Sequence, residues 1–147
     1  MSNKVCINCK TMEGAVIPEY KTSGAAGADV CAFIESPIVL KAGERVIVPT
    51  GLFFEIPEGY EIQVRPRSGL AAKYGVTVLN TPGTIDSDYR GQLKIILINL
   101  GESEFVINNG ERIAQIIISP VIQADFKAVD SLSDTDRGEC GFGSTGV

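Results

Sequence analysis

The chain predicts an all-β fold: an antiparallel sandwich, jelly roll or closed barrel, with one short helix and a flexible C-terminal arm. Three observations predict it. Apolar, β-branched stretches recur roughly every eight to twelve residues, broken by glycine and proline. A single segment, "SGLAAKYG" from Ser68 to Gly75, fits a turn or two of helix. After about Asp130 the apolar periodicity stops, and "DSLSDTDRGECGFGSTGV" is polar and glycine-rich. That change divides the chain into a compact body, residues 1–130, and an arm, residues 131–147.

The elements follow in order. "KVCINCK" reads as a strand, so Cys6 and Cys9, three apart, face opposite sides and do not make half of a zinc site. Cys31 and Cys140 do not form a second pair, and reduced thiols in a cytosolic protein are expected. Further strands are expected at "DVCAFI", "PIVLK", "RVIVP", "LFFEI" and "YEIQV", then, beyond the helix, at "VTVL", "QLKIILINL", "EFVIN" and "RIAQIIISPVI". The turns between them carry their own chemistry at Ala42-Gly43-Glu44, Pro57-Glu58-Gly59 and Asn108-Asn109-Gly110.

Composition narrows the function. The 147 residues suit one domain with a real core. A net charge of −5 argues against non-specific nucleic-acid binding, which wants a basic face. No apolar run approaches a membrane span, and "MSNKVCINCK" lacks a signal pattern, so a cytoplasmic location is expected. Histidine is absent, which removes Ser-His-Asp and Cys-His nucleophilic systems and imidazole bases together. Acid–base work is left to carboxylates, lysine, tyrosine or water.

Four segments carry polar residues that a plain sandwich does not need. In "GAAGADVCA", Asp29 interrupts a small-residue entry into a strand; a turn aspartate bonding its own backbone explains that much. In "VRPRSGLAAKYG", Arg65 and Arg67 flank Pro66, and Ser68 and Gly69 open the helix; capping by Ser68 and phosphate binding are equally good readings. "VLNTPGTIDSDYRGQL" holds Asn80, Asp86, Asp88, Tyr89 and Arg90 around an Asn-Thr-Pro-Gly turn. A hairpin accounts for the turn but not for Asp86 ahead of a Tyr-Arg pair, and a carboxylate in a narrow pocket is the natural base where histidine is missing. In the arm, Arg137 suits a terminal phosphate, Phe142 a stacked base, Ser144 and Thr145 hydroxyl donors, and the glycines a close backbone approach. Together the four describe a nucleoside triphosphate site. It is not the P-loop type, because GxxxxGK[ST] is absent.

With "GERIAQIII", these segments resemble, in order, the five motifs of the trimeric dUTP nucleotidohydrolases, the dUTPases: "AGADVCA", "RPRSGLA", "NTPGTIDSDYRG", "ERIAQ" and "RGECGFGSTG". Cys140 stands where the fifth motif usually has glycine, and Glu111 keeps the charge of a more common aspartate. The resemblance implies a β jelly roll, assembled as a homotrimer whose sites draw on three subunits. It implies hydrolysis of dUTP to dUMP and pyrophosphate, keeping uracil out of DNA and supplying dUMP for thymidylate synthesis. Asp86 would be the base acting on the attacking water. Mg2+ would ride on the triphosphate, with Asp29 touching its hydration shell. Arg67, Ser68, Gly69 and Gln115 would hold the phosphates, Arg137, Ser144 and Thr145 the γ-phosphate, and Gly143 would be a further substrate contact. Asn80, Gly83, Thr84 and Ile85 would read uracil and leave no space for a 5-methyl group; Tyr89 would exclude a 2′-hydroxyl, Lys94 would add a substrate contact, and Phe142 would cover the base. Stable nucleic-acid or membrane partners are not expected. The alternatives are a dCTP deaminase-type relative, against which the "GTIDSDYRG" motif speaks, and a non-catalytic nucleotide-binding sensor.

Overall fold

The computed structural model of the chain describes residues 3–146; the outermost residues of the expected body and arm, 1–2 and 147, lie outside it. Ten strands and one helix form two four-stranded sheets and a small two-stranded one, with every pairing antiparallel. The first sheet has the order β1 (Asn8–Thr11), β4 (Arg45–Glu55), β8 (Gln92–Asn99), β6 (Val76–Val78). The second has the order β2 (Ala28–Cys31), β10 (Arg112–Pro120), β5 (Tyr60–Arg65), β7 (Gly83–Ile85). The third pairs β3 (Ile38–Leu40) with β9 (Phe105–Ile107).

Strand alternation places the core between the sheets. On β8, Leu93, Ile95 and Leu97 are buried, while Lys94, Ile96 and Ile98 face the other way. Val48, Leu52 and Phe54 of β4 meet Ile62 and Val64 of β5 and Ile116 of β10 in the same cluster. Each fully buried aliphatic side chain contributes about 1.5–3 kcal/mol, and the cluster reaches every sheet. No helix among the described residues is long and apolar enough to cross a membrane.

The strand expected at "KVCINCK" begins only at Asn8, so Cys6 lies ahead of β1 and not on it. Three further local outcomes differ from the sequence expectation. "RVIVP" and "LFFEI" form one eleven-residue strand, β4, because Thr50 and Gly51 make a bulge rather than a break. The Thr50 hydroxyl donates to the Leu93 carbonyl at 2.6 Å, and the Gln92 side-chain oxygen accepts from Gly51 N–H at 3.0 Å. The helix α1 (Ser68–Tyr74) has Arg67, not Ser68, at its N-cap, with no side-chain cap bond. The extended backbone of Arg67 continues from β5 and leaves the serine already inside the first turn. Gly75 closes α1 in the left-handed conformation its sequence position suggests, φ 69°.

The third difference concerns the hairpin expected around Asn-Thr-Pro-Gly. β6 and β8 pair in the first sheet, whereas β7 pairs with β5 in the second. The segment therefore crosses from one sheet to the other and back. Pro82 follows a cis peptide bond at this crossing.

Candidate active site

The crossing segment builds the first half of the site. Its cavity, about 520 Å³, is lined by Thr84, Ile85, Asp86, Tyr89, Gly91, Gln92 and Lys94. Gly83 is buried where β7 lies on Val64; a Cβ there would stand 3.2 Å from that side chain and 3.4 Å from the Asn80 amide nitrogen. The Asn80 amide thus lies over the start of β7, beside the main chain of Gly83 and Thr84. Asp86 and Tyr89 close a turn through the Tyr89 N–H donating to the Asp86 carbonyl at 3.2 Å. Arg90 braces that turn by donating to the Ser87 carbonyl at 2.7 Å. The Tyr89 hydroxyl donates to the Gln92 carbonyl at 2.9 Å, which fixes the ring against β8. Asp86 is solvent-facing and its side chain has no hydrogen bond among the described residues, so its carboxylate can accept from a water or ligand.

The second half is cationic. Asp29 of β2, its side chain 16% exposed, lies between two arginines: Arg67 Nε is 3.5 Å from Oδ1 and Arg112 Nη1 is 3.2 Å from Oδ2. Arg67 Nη1 also donates to the Arg112 carbonyl at 3.2 Å. Partly exposed pairs of this kind contribute under about 1 kcal/mol each to stability. Their consequence is positional: two guanidinium groups around one carboxylate leave a net positive cluster with fixed donors. The neighbouring Cys31 thiol is pushed above its ordinary pKa, by burial first and by the Asp29 charge second. Gln115 Nε2 donates to the Pro66 carbonyl at 2.9 Å, tying β10 to the arginine loop. Ser68 and Gly69 follow that loop and are exposed.

Arg112 was not singled out from the sequence. Arg112 and Gln115 are three apart, a spacing that normally sends side chains to opposite faces of a strand. The register of β10 on β2 slips between Arg112 and Ala114, so Ile113 and Ala114 both turn inward, and Arg112 and Gln115 end up on the Asp29 side. Nothing in the residue types announces that bulge. Gly91, the last residue of "NTPGTIDSDYRG", was given no role of its own, and Gln92 read only as the entry to a strand.

The five arm residues, Arg137, Phe142, Gly143, Ser144 and Thr145, join neither half in their own chain. Residues 121–146 are exposed apart from Gly141, which is half-buried. The arm folds into local turns, with Arg137 Nε donating to the Cys140 carbonyl at 2.9 Å and positive φ at Gly138, Phe142, Gly143 and Gly146. Among the described residues no group of three His, Cys, Asp or Glu side chains converges.

The two halves, the all-β frame and the glycine-rich arm match one known family. The dUTPase family model aligns with residues 13–146. The chain belongs to the dUTPase family. Among curated dUTPases, the deoxyuridine 5′-triphosphate nucleotidohydrolase of Treponema denticola is 63% identical over 94% of this chain and 96% of its own. That of Bdellovibrio bacteriovorus is 59% identical over 97% of each. The dUTPase of Staphylococcus bacteriophage 80alpha, solved with dUpNHpp, superposes with a TM-score of 0.83 at 30% identity, over 99% of this chain and 100% of that one. The jelly-roll fold expected from the sequence is therefore the fold observed.

Proposed function

We propose that the protein is a dUTP diphosphatase, hydrolysing dUTP to dUMP and pyrophosphate and so limiting uracil in DNA while supplying dUMP. The observation that carries the reading is a free carboxylate, Asp86, on the rim of a cavity walled by Tyr89 and by the main chain of β7. Water attacks the α-phosphorus, its proton passes to Asp86, and the bond to the bridging oxygen breaks with pyrophosphate leaving. General-base help of this kind supplies roughly 10²–10⁴-fold. Asn80, with the main chain of Gly83, Thr84 and Ile85, reads the uracil edge in a space too narrow for a 5-methyl group. Tyr89 packs against the sugar, and Lys94 reaches in from β8.

Arg67, Ser68, Gly69 and Gln115 hold the phosphates in this reading, and Arg112 joins them. Asp29, with lone pairs beyond its two arginine contacts, suits a water of a hydrated Mg2+ that arrives on the triphosphate. Such a cation neutralises phosphate charge when bound. The arginines stabilise what charge remains as it moves to the leaving pyrophosphate.

Distance supports sites shared between copies in a homotrimer. Ile85 pairs with Ile62, so Asp86 stands level with Glu61, at the opposite end of β5 from Arg67. At about 3.3 Å per residue the separation is roughly 20 Å. A carboxylate and an arginine so far apart in one chain act on one phosphoryl group only when a neighbour supplies one of them. The outward row Ile47, Ile96 and Ile98, with Ile47 60% exposed, offers an apolar face for such a neighbour. The arm, residues 131–147, closes over a neighbouring site with Arg137, Gly143, Ser144 and Thr145 on the γ-phosphate and Phe142 on the base. A cytoplasmic location belongs to the same reading.

The test is a nucleotide panel with magnesium, comparing wild type and Asp86→Asn on dUTP, dCTP, dTTP and UTP. Products from dUTP alone, falling by about 10²–10⁴-fold in the variant, are expected. Ammonia from dCTP would move the chain to the deaminases. Tight dUTP binding with no product would leave a sensor.

A further inference from the structure

We propose that Gly91 is a specificity-determining positioning residue: its missing side chain lets Tyr89 lie latched against β8, and it thereby sets the preference for deoxyribose over ribose. The proposal rests on the dUTP reading above, through the place of Tyr89 beside the sugar.

A glycine can be demanded by backbone conformation or by space. Gly91 does not adopt a positive φ, unlike nine other glycines of the chain, so an L side chain is allowed there by its backbone. Space is the constraint. A Cβ on Gly91 would fall on the Tyr89 hydroxyl, 2.5 Å from ring Cζ and 2.8 Å from Cε1. Real Cβ atoms do not sit this close to other heavy atoms, so something must move.

The surroundings decide which part moves. Gly91 leads into β8, whose first residue, Gln92, pairs with Phe53 of β4. The Gln92 side-chain oxygen accepts from Gly51 N–H at 3.0 Å, and the next carbonyl, Leu93, accepts from the buried Thr50 hydroxyl at 2.6 Å. That backbone is clamped to the bulge of β4 from two sides. The Tyr89 ring, in contrast, belongs to a residue that is 44% exposed, and its one side-chain hydrogen bond runs from the hydroxyl to the Gln92 carbonyl. An alanine at 91 therefore displaces the ring, not the strand. The displaced ring leaves the cavity shared by Asp86 and Lys94, and the wall that would collide with a 2′-hydroxyl goes with it.

The experiment measures kcat/KM for dUTP and for UTP in wild type, Gly91→Ala, Tyr89→Ala and the double variant. Gly91→Ala lowers the dUTP:UTP ratio roughly 10–100-fold, the scale at which a pocket separates substrates differing by one small group. Added to Tyr89→Ala, it changes the ratio less than about twofold, because the collision it acts through is gone. An unchanged ratio in Gly91→Ala overturns the proposal, as does an equal further fall in the Tyr89→Ala background. Failure of Gly91→Ala to fold overturns the proposal as well, because the ring and not the strand is to move; the melting temperature of the double variant then shows whether Tyr89 is the residue struck. Failure of the wild type to hydrolyse dUTP sinks the underlying reading instead, so the two failures are distinguishable.

Discussion

Gly27 shows how tightly single atoms are fitted in the cationic half of the site. It precedes β2, and a Cβ on it would fall on the Gln115 side-chain oxygen and stand 2.9 Å from Cδ. The same amide donates from Nε2 to the Pro66 carbonyl and so fixes the loop that carries Arg67. Gly27→Ala pushes the amide off that carbonyl without touching the buried core, since Gln115 is only half-buried. Misplacing a phosphate-holding group by about 1 Å can cost up to 10²-fold in rate. The expected outcome is a fall of roughly 10–100-fold in kcat/KM for dUTP at near-wild-type melting temperature. A matching loss of melting temperature would show that Gly27 serves the fold and not the loop. Asp29 is the complementary case, a carboxylate first explained by a local turn. Its bonds run instead to Arg67 and Arg112, distant in sequence, and sequence spacing does not reveal such partners.

At the scale of elements, the end of β8 depends on a buried side chain that strand periodicity alone does not mark as special. Asn99 is fully buried. Its Nδ2 donates to the Leu40 and Ser103 carbonyls at 2.9 and 2.8 Å, and its Oδ1 accepts from Gly101 N–H at 2.9 Å. It thus joins β3, β8 and the loop ahead of β9. Asn99→Ala removes all three bonds and takes this partner from the Leu40 carbonyl in the interior, while the Gly101 and Ser103 groups turn to water, at a cost of about 1–3 kcal/mol. Urea unfolding should show a lower midpoint with an unchanged slope; a loss under about 1 kcal/mol would mean water replaces the amide. Elements like β8 were legible because alternation of apolar and outward residues is a property of the strand itself. The continuity of β4 was not, since Pro49-Thr50-Gly51 looks like a stop until Gln92 and Leu93 of another strand satisfy its polar groups. β7 was hidden for the same reason: three residues after a cis proline become a strand only because β5 offers an edge. The candidate site was legible wherever a motif supplied its residues consecutively, as at Thr84, Ile85 and Asp86. It was not legible at Arg112, which a bulge in β10 turns toward Asp29.

At the scale of the whole molecule, one chain holds all the proposed parts but not within reach of each other. Asp86 and Arg67 lie at opposite ends of β5, and the arm residues touch neither half-site of their own chain. Apolar side chains also run along the chain leading into the arm and through its start: Ile122, 97% exposed, Phe126, 93%, and Leu132, 86%, are poor choices for a segment that stays in water. The proposed sharing between subunits would account for both facts and has a consequence no single-chain site has. Asp86→Asn supplies an arm but no base; a chain ending at Asp130 supplies a base but no arm. Each alone should be nearly inactive. Unfolded together and refolded as mixed trimers, they should regain activity, because some sites then take Asp86 from the shortened chain and the arm from the full-length one. With random mixing in equal amounts, about a quarter of sites are so composed. Separately refolded and then combined, the same proteins should stay inactive for as long as subunits do not exchange. No recovery in trimers shown by mass to be mixed would mean that base and arm must come from one chain, and the shared site would have to be abandoned.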